Sequence, residues 1–142
     1  MDAARPNVFI AAPATIIREL GSALGAGVDV FGAETNDEAV RALAGSHVDA
    51  IIVCYAFDEL RPFRLLHHLR DEWEGSHVPT ILVRALPVPL GTTQEAEIRE
   101  TYRLLGADEF FNLYAEGTRI GRAAALAEFR DTLFRLLRLP EH

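Results

Sequence analysis

The hydrophobic positions of the chain follow two patterns, which alternate along its length. Continuous apolar runs indicate buried strands, and apolar residues that recur every three or four positions indicate amphipathic helices. The most continuous run spans residues 48–55, between Gly45-Ser46 and the polar pair Asp58-Glu59. Because this run is rich in β-branched residues and lacks alternating polar positions, it predicts a central strand, buried on both faces of a parallel sheet.

Four shorter apolar segments predict the other strands of this sheet. They occupy residues 7–12, 28–32, 78–83 and 108–113. Helical spacing predicts five helices, at about 15–24, from the N-cap Asn36 to about Leu43, at about 60–75, at 93–105 and at about 118–137. Five strand–helix units predict an α/β protein with right-handed crossovers. The doubly wound five-stranded parallel sheet would be flavodoxin-like, with the strand order 2-1-3-4-5.

The carboxyl ends of the strands are where such a sheet binds a ligand, at the point where the strand order reverses. In this chain that point lies between the first and third strands, with Ala12 and Pro13 on one side and Cys54 on the other. The first strand is not followed by a glycine-rich phosphate loop, because Ala11 to Ala14 stand there instead. We therefore expect no nucleotide, flavin or other cofactor.

Length and charge narrow the class of protein further. The 142 residues suit a single domain, 1–142, with no output domain after Leu137. Fourteen basic and 21 acidic residues give a formal charge of −7, which disfavours a nucleic-acid partner. The first residues lack a signal-peptide pattern, and no apolar run approaches the ~20 residues of a membrane span. With a single cysteine, which cannot form an internal disulfide, these features predict a cytoplasmic protein without a membrane partner.

Several segments resemble the receiver domain of two-component response regulators, over essentially the whole chain. Residues 5–10 and 17–20 resemble the first strand and helix of that family, 48–53 its third strand and 78–83 its fourth. The most specific match is the stretch from Gly106 to Phe110, since Gly-Ala-Asp followed by an acid and an aromatic residue recurs in receivers. The resemblance implies a signalling domain of flavodoxin-like fold that is not an enzyme.

Receivers accept a phosphoryl group from a histidine kinase on an aspartate at the end of the third strand, beside a bound Mg²⁺. The resemblance implies an acidic pair, the acceptor aspartate, a threonine or serine, and a lysine. These positions fall on Ala12 and Pro13, Cys54, Arg84 and Leu113. All five are replaced, and all fourteen basic residues are arginine, so no shifted alignment restores the lysine. We expect a degenerate pseudo-receiver that binds no metal and does not use aspartyl phosphorylation.

Two acidic residues lie just beyond the expected acceptor position, at Asp58 and Glu59. No paired carboxylates accompany them, so we interpret them as a solvated helix start, which the helix dipole favours. Arg84 would fill the space of the missing metal and phosphate, paired with one of these two carboxylates.

An alternative function rests on the single cysteine. Cys54 could act as a nucleophile or redox thiol with its pKa lowered by Arg84 on the neighbouring strand. The chain would then be a small flavodoxin-like enzyme or ligand-binding protein. Packing of Cys54 as a small buried hydrophobe is the competing interpretation, and no base or second cysteine is evident.

The histidines do not predict a metal site. His47 and His77 precede neighbouring strands, but a third ligand is not evident. His67 and His68 are consecutive in a helix and point about 100° apart, so they cannot share one ion.

A binding surface is expected on the face formed by the fourth helix, fifth strand and fifth helix, through which receivers commonly associate. The residues expected there are Tyr102, Phe110, Arg122, Arg130 and Arg138, beside acidic residues 95, 97 and 100 and the apolar loop 87–90. Apolar surface surrounded by opposite charges favours association. We expect a stand-alone signalling module that acts by protein–protein interaction, as a homodimer or with a protein partner such as a sensor kinase.

Overall fold

Five parallel strands form one sheet in the computed structural model, which describes residues 5–60, 62–72, 78–87 and 92–138. The strands are β1 (Asn7–Ala11), β2 (Asp29–Ala33), β3 (Ala50–Cys54), β4 (Thr80–Val83) and β5 (Glu109–Phe111). Their order is β2-β1-β3-β4-β5, and every neighbouring pair is parallel. The predicted α/β fold and its doubly wound topology are confirmed. At positions 59, 60, 63, 72, 92 and 138 only the backbone is described.

Helices connect the strands and cover the sheet. Within the described ranges they are α1 (Ala14–Leu24), α2 (Asn36–Ala44), α3 (Phe57–Leu60), α4 (Pro62–Glu72), α5 (Thr92–Leu104), α6 (Leu113–Ile120) and α7 (Arg122–Arg138). α1 contacts α7, and α2 contacts α4, so the sheet lies between two helical layers. None of these helices combines the length and the apolar character needed to cross a bilayer.

β3 is the central strand, and all five of its residues are buried. Ala11 of β1 pairs with Val53 on one side, and Val83 of β4 pairs with Cys54 on the other. Ile51 and Ile52 point to opposite faces and are at most 1% exposed, so β3 contributes to both layers of the core. Burial of one such side chain stabilises the folded state by roughly 1.5–3 kcal/mol.

The beginning of α2 differs from the prediction that Asn36 is its N-cap. Thr35 is the N-cap, because its backbone is extended and its hydroxyl accepts a hydrogen bond from the Glu38 N–H at 3.2 Å. Glu38 in turn accepts a hydrogen bond from the Glu34 N–H at 3.1 Å, close to a capping box. Asn36 is therefore the first helical residue, and its side chain is free to bond elsewhere.

The end of the chain differs most from the sequence prediction. β5 ends at Phe111, because the Asn112 side chain accepts a hydrogen bond from the Ala115 N–H at 2.9 Å and caps α6. The long final helix predicted from about residue 118 begins at Arg122 instead, because α6 and α7 are separated by Gly121. Its φ of 95° lies in the left-handed region, which glycine adopts without a steric penalty.

Candidate functional site

The carboxyl ends of β1 and β3 lie side by side where the strand order reverses. Ala12 and Cys54 are fully buried there, and Pro13 is half-buried as the N-cap of α1. Leu113, the first residue of α6, is also fully buried. Ala12, Cys54 and Leu113 all belong to the continuous hydrophobic core. This edge of the sheet is therefore closed by packed apolar side chains at Ala12, Cys54 and Leu113.

Burial raises the pKa of the Cys54 thiol above its usual value. The backbone N–H groups of Ala56 and Ala85 and the charge of the Arg122 guanidinium oppose this shift only in part. The alternative function assumed a lowered pKa caused by Arg84, and the opposite direction is found. A buried, protonated thiol is a poor nucleophile, because the thiolate is the reactive form.

Arg84 connects the end of β4 to the beginning of α6. Its backbone N–H donates to the Phe111 carbonyl at 3.0 Å, and its carbonyl accepts from the Tyr114 N–H at 2.9 Å. Its guanidinium lies 5.1 Å from the centre of the Tyr114 ring, a cation–π contact. Pairing of Arg84 with Asp58 or Glu59 stays a prediction, and the Glu59 side chain lies outside the described residues.

Asp58 connects the segment after β3 to the beginning of α2. One carboxylate oxygen accepts hydrogen bonds from the Asn36 backbone N–H at 2.8 Å and from the Asn36 side-chain amide at 2.7 Å. Asn36 is buried, whereas Asp58 is half-buried. With a φ of 47°, Asp58 is the only non-glycine residue in the described ranges with a positive φ. Sequence reasoning does not predict this contact, because the partners are 22 residues apart and neither belongs to an apolar pattern.

The donor chemistry at the end of β3 does not fit the Mg²⁺ that receivers bind. A methyl group at Ala12, a ring at Pro13 and a thiol at Cys54 offer none of the hard oxygen ligands that Mg²⁺ requires. Asp58 supplies a carboxylate nearby in sequence, but it is bonded to Asn36. Across the described part of the chain, no group of three or more His, Cys, Asp or Glu side chains could hold a metal ion.

Of the two histidines that precede neighbouring strands, the structure describes only His47. His47 is exposed and contacts Asp49 at 3.0 Å between Nε2 and Oδ1. Its proposed neighbour His77 lies outside the described residues.

Two of the three arginines expected on the binding face point toward α1. Arg122 forms two hydrogen bonds with the Glu19 carboxylate, at 2.6 and 2.8 Å. Arg130 donates weakly to the Leu24 carbonyl at 3.4 Å and lies 4.5 Å from the centre of the Phe134 ring. The prediction for these two is corrected, because α7 packs on α1 along the side that carries them. The Arg138 side chain lies outside the described residues.

The side of α5 next to β5 carries aromatic and charged groups. The rings of Tyr102 and Phe110 lie 5.8 Å apart, and the Arg99 guanidinium lies 4.7 Å from the centre of the Phe110 ring. Arg135 of α7 lies 3.7 Å from the Glu109 carboxylate of β5. We call Arg99, Tyr102, Glu109, Phe110 and Arg135 the β5-edge face. Arg99 and Arg135 are exposed and Phe110 is buried, so charged side chains lie at the surface and the Phe110 ring lies beneath them.

A shallow cavity of about 250 Å³ lies on the other side of α5. It is lined by Tyr55, Gln94, Glu97, Ile98 and Thr101. Leu104 is 64% exposed, and its helical spacing from Glu97 and Thr101 puts it on this same side. Of the apolar loop 87–90, Pro87 is exposed and the rest lies outside the described residues.

No protein-family model and no curated protein matches the sequence. Solved structures, however, match the fold over nearly the whole chain. The chemotaxis response regulator CheY4 of Vibrio cholerae has a TM-score of 0.67 at 16% identity, covering 94% of this chain and 99% of that one. The phosphorylated cyanobacterial phytochrome response regulator RcpA has a TM-score of 0.68 at 14% identity, covering 90% and 93%.

An orphan response regulator of H. pylori, HP1043, has a TM-score of 0.68 at 11% identity, covering 94% of this chain and 97% of that one. Identities this low show the fold alone. The chain therefore has the receiver-domain fold that is found in signalling response regulators.

Proposed function

We propose that this chain is a pseudo-receiver, a non-enzymatic signalling module that binds proteins and does not use aspartyl phosphorylation. The observation that carries the proposal is the complete burial of Cys54 at the end of β3, beside Ala12. A phosphoryl group needs an accessible oxygen nucleophile and a cation to neutralise its charge. The buried thiol supplies no such nucleophile, and the side chains of Ala12 and Pro13 supply no oxygen ligands for Mg²⁺.

Asp58 is the carboxylate that could overturn this proposal, because it follows β3 closely in sequence. Its hydrogen bonds to Asn36 support a structural role at the beginning of α2. A carboxylate at a helix N-terminus is stabilised there by the unpaired N–H groups and the helix dipole.

Intact-mass spectrometry after incubation with acetyl phosphate and Mg²⁺ tests the proposal. We expect an unchanged mass for the wild type, and no saturable binding of beryllofluoride with Mg²⁺. Asp58→Ala and Asp37→Ala serve as a matched pair, since Asp37 is an exposed aspartate in the first turn of α2. A phospho-adduct that persists in Asp37→Ala and vanishes in Asp58→Ala would contradict the proposal.

We propose the β5-edge face as the binding surface, with a homodimer slightly favoured over another protein partner such as a sensor kinase. The face presents both signs of charge, from Glu109 and from Arg99 and Arg135, around partly buried aromatic rings. Such a surface can complement itself across a two-fold axis.

Sedimentation equilibrium of an Arg99→Glu/Arg135→Glu variant tests this surface. We expect the wild type to dimerise and the variant to be monomeric. Arg41→Glu/Arg64→Glu is the matched control, because it reverses two exposed arginines on α2 and α4. A wild type that is monomeric at every concentration, or equal weakening by both variants, would contradict a dimer through this face.

A further inference from the structure

The salt bridge between Glu19 and Arg122 connects two helices that are far apart in sequence. Arg122 Nη2 donates to one carboxylate oxygen of Glu19 at 2.6 Å, and Nε donates to the other at 2.8 Å. The residues are 103 positions apart, and their side chains are 36% and 30% exposed for Arg122 and Glu19 respectively. Two parallel bonds hold the guanidinium in one orientation, which a single bond would not do.

The same guanidinium also reaches the carboxyl edge of the sheet. Arg122 Nη1 donates to the Ala85 carbonyl at 3.0 Å. Ala85 is buried two residues after β4. Hydrogen bonds therefore run from Glu19 of α1 through Arg122 to the segment after β4.

Arg122 makes these contacts at the junction between α6 and α7. It is the first residue of α7 and directly follows Gly121, whose left-handed backbone separates α6 from α7. The first turn of α7 is closed by the Ala125 N–H, which donates to the Gly121 carbonyl at 3.0 Å. The backbone turns at Gly121, and Arg122, the next residue, bonds both to Glu19 of α1 and to Ala85.

We propose that the Glu19–Arg122 pair is a conformational lock that fixes α7 against the segment after β4. The lock holds the β5-edge face, to which α7 contributes Arg135, in one arrangement without phosphorylation. This inference rests on the proposed function and concerns the regulation of the same surface.

The test is amide hydrogen exchange by NMR in Glu19→Gln, Arg122→Gln and the double variant. Loss of the charge-assisted bonds should accelerate exchange at Ala125 and in the backbone around Ala85 by about tenfold in each single variant. The double variant should exchange no faster than Arg122→Gln, because that substitution already removes both the Glu19 contact and the Ala85 contact. Glu109→Gln and Arg135→Gln remove a more exposed Arg–Glu contact and should leave both regions unchanged.

A charge-reversed variant, Glu19→Arg/Arg122→Glu, keeps the test decisive if a single variant does not fold. Recovery of slow exchange at Ala125 supports the lock, and failure to recover it there overturns the lock. Ala85 is not part of this readout, because a glutamate at position 122 cannot donate to its carbonyl. The lock would also be overturned if the effects of the two single variants on the exchange rate added up in the double variant. A uniform increase of exchange over the whole domain, as global unfolding produces, would overturn it as well. None of these readouts involves phosphate or a partner, so the lock can fail while the mass and sedimentation experiments still support the proposed function.

Discussion

The carboxyl edge of the sheet and the surface of α5 differ in whether their side chains are buried or exposed to solvent. At the edge, Ala12, Cys54 and Leu113 are packed into the core. Around α5, Arg99 and Glu97 are exposed. In a doubly wound fold the edge is the usual place for chemistry. In this chain the edge is apolar and the exposed charged groups named here lie on the helical surface, which supports the binding function proposed above.

The largest expected effect is that of a charge at the closed edge. Cys54→Asp places a carboxylate at a fully buried position, and we expect the free energy of unfolding to fall by about 3 kcal/mol or more. Urea denaturation measures this loss. Cys54→Ala removes the sulfur without adding charge and should cost less. Equal losses in the two variants would show that water reaches this edge.

A smaller loss is expected for Asp58→Ala. The substitution leaves the buried Asn36 amide groups without their acceptor, and we expect a loss of about 1–3 kcal/mol in urea denaturation. Asp37→Ala, at an exposed position on the same helix, should change stability by less than about 0.5 kcal/mol. If both variants lose the same stability, the hydrogen bonds between Asp58 and Asn36 add nothing to the favourable interaction of a carboxylate with the N-terminus of α2.

The pH dependence of stability should distinguish the lock from surface charge. The hydrogen bond from Arg122 lowers the pKa of Glu19 below its ordinary value of 4.5. A carboxyl whose pKa is lower in the folded state stabilises that state at any pH above its unfolded-state pKa. This stabilisation is lost as the pH falls from the unfolded-state pKa through the folded-state pKa. Wild type and Glu19→Gln should therefore differ most at neutral pH and converge below about pH 4.5. A difference that stays constant down to pH 3 would contradict this, and the exposed Glu97→Gln serves as the control.

The smallest effect is expected on the surface of α5. Leu104→Gln changes a 64% exposed side chain, so we expect a change in unfolding free energy within about 0.5 kcal/mol. The adjacent Leu105 is 8% exposed, and Leu105→Gln should be clearly more destabilising. A large loss in Leu104→Gln would indicate that this leucine is covered in solution.

The sequence predicted the sheet well because strand burial is a local pattern. The run around Ile51 and Ile52 was apolar on both faces, and it became the central strand. The helical spacing of Ile16, Leu20 and Leu24 likewise matches the buried side of α1. Strand order followed from the alternation of strands and helices, which restricts how parallel strands can be connected.

The site was harder to predict because its contacts join distant residues. The sequence predicts Arg122 on the binding face, but its partner Glu19 lies 103 residues earlier in the chain. The break at Gly121 was missed because the apolar spacing continues through it to Phe129 and Leu133. At Thr35 and Asn36 both residue types are good N-caps, and only the backbone distinguishes them.

The Glu19–Arg122 bridge also has a consequence for folding kinetics. Contacts between residues this far apart require closure of a long loop, so they form after the local strand–helix units have assembled. An interaction absent from the folding transition state slows unfolding and leaves the folding rate unchanged. We therefore expect Arg122→Gln to leave the folding rate unchanged in stopped-flow measurements and to increase only the unfolding rate. The bridge would then set how long each molecule stays folded once it has folded.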